Sequence, residues 1–439
     1  MNLTKFFQTY LLLIIVYFGC AFSFAQTNVV GGFTTLSITC FLVTYLSTVL
    51  LLKDSHLRKI VLITFIIKTI IGISHFLIFY DSSYFSSGGM IRDVFQNDFT
   101  SYFNFVRSLA YDKESLGIFY YDSSEQVVSH QELLNLMTIF MYKFGVYAMN
   151  IIPLNCMFSS LFAINMYICL EQYCDNRQKK TGLVVLLALF PLFLDDAIFV
   201  RDIMGQFLMS IGVVLFSRSS KSTRFIWLIP ASYLFFLQRT AYVVTPFLVY
   251  LIILFTDRKQ TKYLILIPIV MVIAASILPE MGVGNEFSER SGRGGIMSTS
   301  IAMLPVRIVF GLIGPFPWTQ FIVKGLVEPA FASQLYQYIA GIIHIGALIL
   351  LISTRGLFKN LCKDGIFLIG LVVVGMGVLD SHMHITYIMA GSCFMVPLIY
   401  LFTSKQQYKK AMLISFLILL SLNIIWIGLG MSGIKTELI

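Results

Sequence analysis

Long apolar runs constrain this chain more than any other feature of its sequence. Predominantly apolar segments of about 15 to 22 residues recur from one end to the other, and 57% of the 439 residues are hydrophobic while 12% are charged. Segments of this length form helices that cross a bilayer, because each backbone polar group is hydrogen-bonded within its own helix. The predicted fold is all-α: a polytopic transmembrane helical protein with a single integral membrane domain over residues 1–439.

Basic residues between the runs predict which loops face the cytoplasm. The clusters are Lys53/Arg58/Lys59, Arg177/Lys179/Lys180, Arg218/Lys221/Arg224, Arg258/Lys259/Lys262, Arg355/Lys359/Lys363 and Lys405/Lys409/Lys410. Crossing the membrane between them gives about 13 spans, with the N-terminus inside and the C-terminus outside. The predicted location is the bacterial inner membrane, and the net charge of +9 reflects topology and is no nucleic-acid signal.

The predicted spans have approximate bounds of 6–24, 31–52, 60–80, 150–170, 263–280, 334–353, 365–380, 384–402 and 411–430, and shorter spans share residues 181–256. Residues 21–25 resemble a signal-peptidase site, so cleavage is an alternative to the retained first helix that we favour. Lys68 lies in the third span. It has to face protein or reach the interface, because an ammonium group in lipid is costly.

A polar loop precedes the fourth span and is predicted to be periplasmic, within residues 81–149. Its part from Asp81 to Glu132 holds eight of the 22 acidic residues. Five aromatic residues between positions 95 and 105 surround Asp98, and such a setting desolvates a carboxylate and raises its pKa, as a general base requires. The alternative is a solvated loop whose carboxylates only keep it soluble. Residues 133–144 predict an amphipathic helix in the interface.

Charged residues break the short runs between residues 181 and 256, on the side where Asp98 is predicted. The breaks contain Asp195, Asp196, Arg201, Asp202 and Arg239. Short helices with charged breaks at one depth indicate a thinned vestibule that water enters. Asp196 and Asp202 are therefore candidates for a catalytic role. The alternative is that one of them simply neutralises Arg201 at a helix end.

A second segment, residues 281–333, is predicted to be periplasmic or re-entrant. Three prolines and two glycines between residues 305 and 317 argue against a regular spanning helix there. The turn at residues 291–295, Ser-Gly-Arg-Gly-Gly, is suited to wrapping a phosphate with backbone N–H groups. The alternative for this turn is a flexible loop without a ligand.

Arginines and histidines gather on the predicted periplasmic face, although the positive-inside rule does not require them there. Arginine is suited to a bidentate grip on phosphate, and the phosphate at this depth of a membrane enzyme belongs to a lipid phosphate or diphosphate. The candidate phosphate-binding residues are Arg201, Arg239, Arg290, Arg293, Arg307, His382 and His384. The histidines lack a third ligand at usable spacing, so neither a metal site nor a cofactor is predicted.

Short motifs between about residues 90 and 250 resemble those of a known family. They are Asp98-x-x-x-Tyr102, Lys143-Phe144-Gly145, Asn155-x-x-Phe-Ser-Ser, Leu189-Phe190-Pro191 with Asp196, and Arg201-Asp202. With the interfacial helix and the many spans, they look like the GT-C membrane glycosyltransferases and the O-antigen polymerases of the Wzy type. GT-C enzymes usually carry an acidic pair in the first loop. This chain has Asp98-Phe99, so assistance from Asp93 or Asp196 is left open.

The resemblance implies a glycosyltransferase or polymerase that takes sugar units from a polyprenyl (undecaprenyl) phosphate- or diphosphate-linked donor during synthesis of O-antigen, lipopolysaccharide or capsule. Asp98 is then the general base, and arginines stabilise the departing phosphate. The expected partners are a lipid-linked donor and acceptor, membrane lipids and other polysaccharide assembly proteins. Polymerase and single-sugar transferase both stay open. The alternative class is a transporter or flippase of lipid-linked oligosaccharide, which needs charge in the middle of the membrane, where only Lys68 is predicted.

Overall fold

The structure, a computed structural model, describes residues 2–24, 28–79, 131–189, 202–220, 223–257, 331–379 and 385–428. Every regular element within these ranges is helical, which confirms the all-α class for this part of the chain. The predicted periplasmic loop up to residue 130, the span 263–280 and the segment 281–330 lie outside the described residues.

The described residues fall into two compact units, and the helices up to Arg218 form the first. These are α1 (Leu3–Ser23), α2 (Val29–Leu51), α3 (Ser55–Phe79), α4 (Gln131–Met141), α5 (Ile151–Leu170), α6 (Arg177–Leu189) and α7 (Asp202–Arg218), with 3₁₀ turns at Tyr142–Phe144, Ala148–Asn150 and Glu171–Tyr173. Asn2 and Asn28 cap α1 and α2, because their side-chain oxygens accept hydrogen bonds from backbone N–H groups in the first turn. The spans predicted at 6–24, 31–52, 60–80 and 150–170 correspond to α1, α2, α3 and α5.

Helix α5 is the centre of the first unit, because all of its residues are buried. Helices α2, α3, α6 and α7 pack against it. A helix covered on every side is expected to be apolar all round. Helix α5 departs from this expectation at Asn155, Ser159, Ser160 and Asn165, and these polar residues are therefore a main subject of the site described below.

Helix α3 runs antiparallel to α5. The ammonium group of Lys68 donates to the hydroxyl of Ser159 at 2.5 Å. One turn further along α3, a Cβ atom on Gly72 would lie 2.7 Å from a side-chain carbon of Ile152, which is earlier in α5. The basic clusters predict the same result, because one of them lies at the start of α3 and another follows α5, so the two helices should cross the membrane in opposite directions.

Helix α7 runs parallel to α5. The ring of Phe207 stacks on that of Phe158 with 5.3 Å between centroids, and the later residue Ser210 accepts a hydrogen bond of 2.9 Å from the amide of Asn165. Two parallel helices that span a membrane have to be joined by a segment that crosses the membrane once in the opposite direction. Helix α6 lies between them in the chain and contacts α5.

Helix α4 corresponds to the predicted amphipathic helix. Its apolar face is packed on the protein, since Leu133, Leu134, Met137 and Met141 are buried. The Tyr17 hydroxyl of α1 donates to the carbonyl oxygen of Phe140 at 2.7 Å, and the Lys143 ammonium lies 5.3 Å from the centre of the Phe22 ring. The amphipathic pattern thus serves contact with α1 in this structure, while a position in the membrane interface stays a prediction.

The second unit contains the helices from Arg224 onwards, including α10 from Gln334. They are α8 (Arg224–Gln238), α9 (Thr245–Asp257), α10 (Phe331–Ser353), α11 (Leu357–Leu361), α12 (Gly365–Leu379), α13 (Ile385–Phe402) and α14 (Lys405–Gly428), with a 3₁₀ turn at Thr240–Val244. The spans predicted at 334–353, 365–380, 384–402 and 411–430 correspond to α10, α12, α13 and α14.

A close approach of two backbones joins α12 to α13. A Cβ atom on Gly391 would lie 2.5 Å from the carbonyl oxygen of Gly370 and 2.7 Å from the amide nitrogen of Val374. Only glycine leaves room for such a contact, which is a common way for helices to associate in lipid. Elsewhere in this unit, the Ser415 hydroxyl of α14 donates to the carbonyl oxygen of Ile342 in α10 at 2.8 Å.

Three of the described helices are long and apolar enough to cross a membrane: Leu3–Ser23, Val29–Leu51 and Ile151–Tyr173. Shorter apolar helices include Arg224–Gln238, Tyr242–Thr256, Gly341–Ser353, Gly365–Met376 and Ala390–Phe402. These features favour a membrane protein. The number of about 13 spans, the single membrane domain and the inner-membrane location stay predictions.

Candidate functional site

Most of the site residues predicted from sequence lie outside the described residues. They are Asp98, Asp196, Arg201, Arg290, Arg293, Arg307, His382 and His384. Their expected gathering on one face stays a prediction. Asp202 of the first unit and Arg239 of the second are described, and each is considered within its own unit.

Asp202 is the first residue of α7 and is half-buried. A carboxylate in the first turn of a helix is stabilised by the unpaired N–H groups and the positive end of the helix dipole. At the other end of α7, the guanidinium of Arg218 donates to the carbonyl oxygen of Ile168 and lies 3.9 Å from the carboxylate of Glu171. Both ends of α7 therefore carry the charge that complements the dipole, which is sufficient to explain Asp202 without catalysis.

Arg239 follows the last residue of α8 in an extended conformation, with φ −157° and ψ 139°. Its N–H donates to the carbonyl oxygen of Phe235 at 3.2 Å, and its own carbonyl accepts from the N–H of Tyr242 at 2.9 Å. These bonds join α8 to the following 3₁₀ turn and hold the side chain inside the unit, where only 8% of Arg239 is exposed. A buried guanidinium is a strong donor for an anion, because its N–H groups form a rigid fork.

Asp202 and Arg239 each lie at the end of their own helix that is remote from the basic residues between α7 and α8. Helix α7 ends at Arg218 and α8 begins at Arg224. The two helices have 17 and 15 residues, so Asp202 and Arg239 are each about 22 to 25 Å along a helix from that cluster. The positive-inside rule predicts a cytoplasmic location for these basic residues, and the placement of either candidate on the opposite face stays a prediction.

Polar side chains are hydrogen-bonded across the interior of the first unit. Lys68 is 1% exposed and donates to Ser159. It therefore faces protein, which is one of the two alternatives that the sequence left open. Asn165 of α5 bridges two other helices: its amide donates to Ser210 of α7 at 2.9 Å, and its oxygen accepts from the Tyr10 hydroxyl of α1 at 2.7 Å. Sequence reasoning missed the Asn165 bridge, for which the only signal was an asparagine within an apolar run.

Gln206 lies one turn after Asp202 on α7 and was also missed from the sequence. Its side chain is 1% exposed. Among the residues that the structure describes, neither its amide nitrogen nor its amide oxygen has a hydrogen-bond partner. A buried amide without partners is costly in a protein interior, and more so between helices in lipid. Gln206 is therefore the described side chain whose environment is least explained by folding alone.

The second unit contains a buried histidine that sequence reasoning missed. Nε2 of His344 in α10 lies 2.7 Å from the hydroxyl of Ser392 in α13, and both residues are buried. The pair links two helices through a polar contact, as membrane helices commonly are linked. Its only sequence signal was one histidine in the apolar span 334–353.

Within the described ranges, no group of three or more His, Cys, Asp or Glu residues is arranged to hold a metal ion. No known family, no curated protein and no solved structure matches this chain.

Proposed function

We propose that this protein is a membrane glycosyltransferase or repeat-unit polymerase that takes sugar from a polyprenyl phosphate- or diphosphate-linked donor. The observation that carries the proposal is the buried arginine Arg239, which is 8% exposed and follows the end of α8 opposite to Arg224. The sequence adds Asp98 and further arginines to the same predicted face. The active site then faces the periplasm, where lipid-linked sugars for surface polysaccharides are used.

The charge type at this face supports phosphate chemistry. A topology signal needs cations in cytoplasmic loops, and burial of Arg239 inside its unit is not what such a signal requires. Arginine pairs with phosphate through two parallel hydrogen bonds. A lipid-linked sugar brings such a phosphate to the membrane surface together with the bond that is to be broken.

The reaction requires one base and a stabilised leaving group. A hydroxyl oxygen of the acceptor sugar attacks C1 of the donor sugar, and the bond between C1 and the phosphate oxygen breaks as the new C1–O bond forms. Asp98 accepts the hydroxyl proton. The electron pair leaves with the polyprenyl phosphate or diphosphate, whose negative charge is stabilised by arginine side chains such as Arg239.

A transporter or flippase of lipid-linked oligosaccharide is the second candidate, and one observation favours it. Lys68, Ser159 and Gln206 form part of a polar interior in the first unit. Transport needs polar groups along a path through the membrane. Movement of a fluorescent lipid-linked sugar across proteoliposomes, without any transfer of sugar, would favour this candidate over the enzyme.

The decisive variant for the enzyme is Asp98→Asn. It keeps the shape of the side chain but cannot accept a proton, so transfer of sugar from a polyprenyl-linked donor to a lipid-linked acceptor is expected to fall about a hundredfold or more. Asp112→Asn and Asp122→Asn are matched controls in the same polar loop and should be close to wild type. Membrane abundance is measured for each variant, so that loss of protein is not mistaken for loss of catalysis.

The outcomes separate the alternatives. Equal activity of Asp98→Asn and the controls would remove Asp98 as the base and turn attention to Asp196 and Asp202. Deletion of the gene then separates the two enzymes: surface polysaccharide reduced to a single repeat indicates a polymerase, and loss of one branch sugar indicates a single-sugar transferase.

A further inference from the structure

The contact between α5 and α7 can be viewed along the two helix axes, and its two sides are called flanks here. Polar side chains lie on one of these flanks. The stacked rings of Phe158 and Phe207 mark a common depth on the two helices, with their centroids 5.3 Å apart. Ser159 follows Phe158 by one position, and Gln206 precedes Phe207 by one position. Each is therefore rotated by about 100° around its helix from the stacked pair, but in opposite senses.

Opposite rotations on two facing, parallel helices turn both side chains to the same flank. Ser159 and Gln206 thus lie on the same side of the contact, about two residues or roughly 3 Å apart in depth. Helix α3 occupies this flank, because Lys68 donates to Ser159 at 2.5 Å. Lys68 and Ser159 are hydrogen-bonded, and helical geometry turns Gln206 towards the flank on which that bond lies.

The helical repeat extends this polar flank towards the N-terminal ends of α5 and α7. Asn155 precedes Ser159 by four residues, and Asp202 precedes Gln206 by four, so each lies one turn above its partner on the same face. Gln206 is about 6 Å from the start of α7 along the helix axis, and Ser159 is about 12 Å from the start of α5. The flank forms a short polar path inward from the face that the proposed function assigns to the periplasm.

The unpartnered amide of Gln206 indicates which chemical groups a ligand on this flank would need. The amide has two N–H donors and a carbonyl acceptor, none of which is bonded, and the side chain is 1% exposed. Lys68 adds a positive charge with N–H donors on the same flank. The complementary ligand is an anion with several acceptor oxygens that also carries a hydroxyl group. A phosphate ester of a sugar, or a protonated phosphate monoester, has both.

We propose that Lys68, Ser159 and Gln206 bind the phosphate of an isoprenoid phosphate within the first unit. Lys68 donates to one phosphate oxygen and the Gln206 N–H groups to another, while the Gln206 oxygen accepts from a hydroxyl of the phosphate or of the first sugar. The identity of the ligand rests on the proposed function. Its residues differ from the arginines proposed above to stabilise the leaving group, and they hold the lipid phosphate among the helices of the first unit.

The test measures binding of farnesyl phosphate to the full-length protein in lipid nanodiscs by calorimetric titration. Gln206→Leu is the main variant, because replacing a buried amide that has no partner by an apolar group of similar size leaves folding unchanged or more stable. Its affinity for farnesyl phosphate is expected to fall about tenfold or more, since hydrogen bonds to a charged ligand are lost. Lys68→Gln is expected to show a loss at least as large.

Ser210→Ala is the matched control on the same helix, one turn beyond Gln206. Its hydroxyl accepts from Asn165 and donates to the carbonyl oxygen of Phe207, which is a structural role. The control should lower the melting temperature and leave the affinity unchanged. Gln206→Leu should show the reverse pattern, so a merely structural role of Gln206 is distinguished from binding even where Lys68→Gln fails to fold.

Two further probes identify the source of the phosphate. Farnesol tests the isoprenoid chain and inorganic phosphate tests the anion. Tight binding of farnesyl phosphate alone supports the proposal. Equal binding of inorganic phosphate, binding of farnesol as tight as that of farnesyl phosphate, binding of none of the probes, or wild-type affinity in Gln206→Leu each overturns it.

The proposed function and this site fail separately. A wild-type protein that binds farnesyl phosphate through Gln206 but transfers no sugar keeps the site and removes the enzyme. A wild-type protein that transfers sugar, with unchanged farnesyl phosphate affinity in Gln206→Leu, keeps the enzyme and removes the site.

Discussion

Two helix contacts, one in each unit, are held together in different ways. In the first unit, α5 meets α3 and α7 through side-chain hydrogen bonds, from Lys68 to Ser159 and from Asn165 to Ser210. In the second unit, α12 meets α13 where Gly370 and Gly391 bring two backbones together. The first contact depends on polar groups and the second on the absence of side chains.

The difference matters because lipid removes much of the hydrophobic drive for helices to associate. Close packing of small residues and hydrogen bonds between helices are the two remaining means, and the contacts of α5 and the α12–α13 contact illustrate one each. A contact made by glycines has no polar group left over for a ligand. A contact made by polar side chains does, and in the first unit Gln206 is such a group. We therefore expect substitutions in the two contacts to have different consequences.

The largest effect is expected for Gly391→Ala in the α12–α13 contact. The added Cβ would lie 2.5 Å from a backbone oxygen that cannot rotate away, so the helices must separate, and we expect a cost at or above the upper end of the usual range for overpacking, about 3 kcal/mol or more. Gly375→Ala on α12 is the control, because a Cβ there meets nothing within 4 Å. The measurement is the melting temperature and yield of the purified protein. Equal melting temperatures for the two variants would contradict the close approach.

A smaller but clear effect is expected for Ser159→Ala in the first unit. It removes an acceptor from the buried Lys68 ammonium, and a hydrogen bond to a charged group contributes about 1.5 to 3 kcal/mol. The neighbouring Ser160→Ala is the control, since the Ser160 hydroxyl bonds only the carbonyl oxygen of Cys156 within α5 among the bonds described. Unfolding in denaturant is measured for both. A Ser159→Ala variant as stable as Ser160→Ala would mean that this bond does not hold α3 to α5.

The smallest effect is expected at the exposed ion pair of Lys179 and Asp175. Comparing it with the buried bond from Lys68 to Ser159 tests whether burial is what makes that bond stabilising. The Lys179 ammonium donates to the Asp175 carboxylate at 3.2 Å in front of α6, and this bond holds the pKa of Asp175 below its ordinary value. A lowered carboxyl pKa stabilises the folded state above the ordinary pKa, and that contribution disappears as the pH falls through the lowered pKa. Lys179→Met should leave the melting temperature at pH 7 unchanged within error, because exposed pairs are screened by water.

The matched change is Lys180→Met, which removes the same charge from the adjacent position. Both variants should melt with the wild type at neutral pH and also at a pH below the lowered pKa of Asp175. A loss of stability confined to Lys179→Met and to neutral pH would show that exposed ion pairs contribute as much as the buried bond of Lys68.

The positions of the helices were largely predictable from the sequence, and the reason is physical. Apolar length and basic clusters are local signals, so the structure has helices at predicted positions: Ile151–Leu170 for the span predicted at 150–170, and Gly365–Leu379 for that at 365–380. The same logic predicted that Lys68 faces protein or the interface, because the only other choice exposes an ammonium group to lipid. The structure selects protein.

The partners of the polar side chains were not predictable in the same way. Nothing in an apolar run says that Asn165 meets Tyr10 and Ser210, because those residues are far apart in the chain and meet only through packing around α5. Gln206 was missed for the same reason. Asp98 was chosen from its aromatic neighbours in sequence, and it lies outside the described residues, so that choice stays a prediction.

The burial of α5 has a consequence for how the protein is made. Helices that pack on α5 are synthesised both before it, as α2 and α3 are, and after it, as α6 and α7 are. A nascent chain that has reached Leu170 therefore lacks Ser210, the hydrogen-bond acceptor of the Asn165 amide, because α7 has not yet been made. Biogenesis has to protect α5 until translation passes Arg218, so this helix sets the order in which the first unit is assembled.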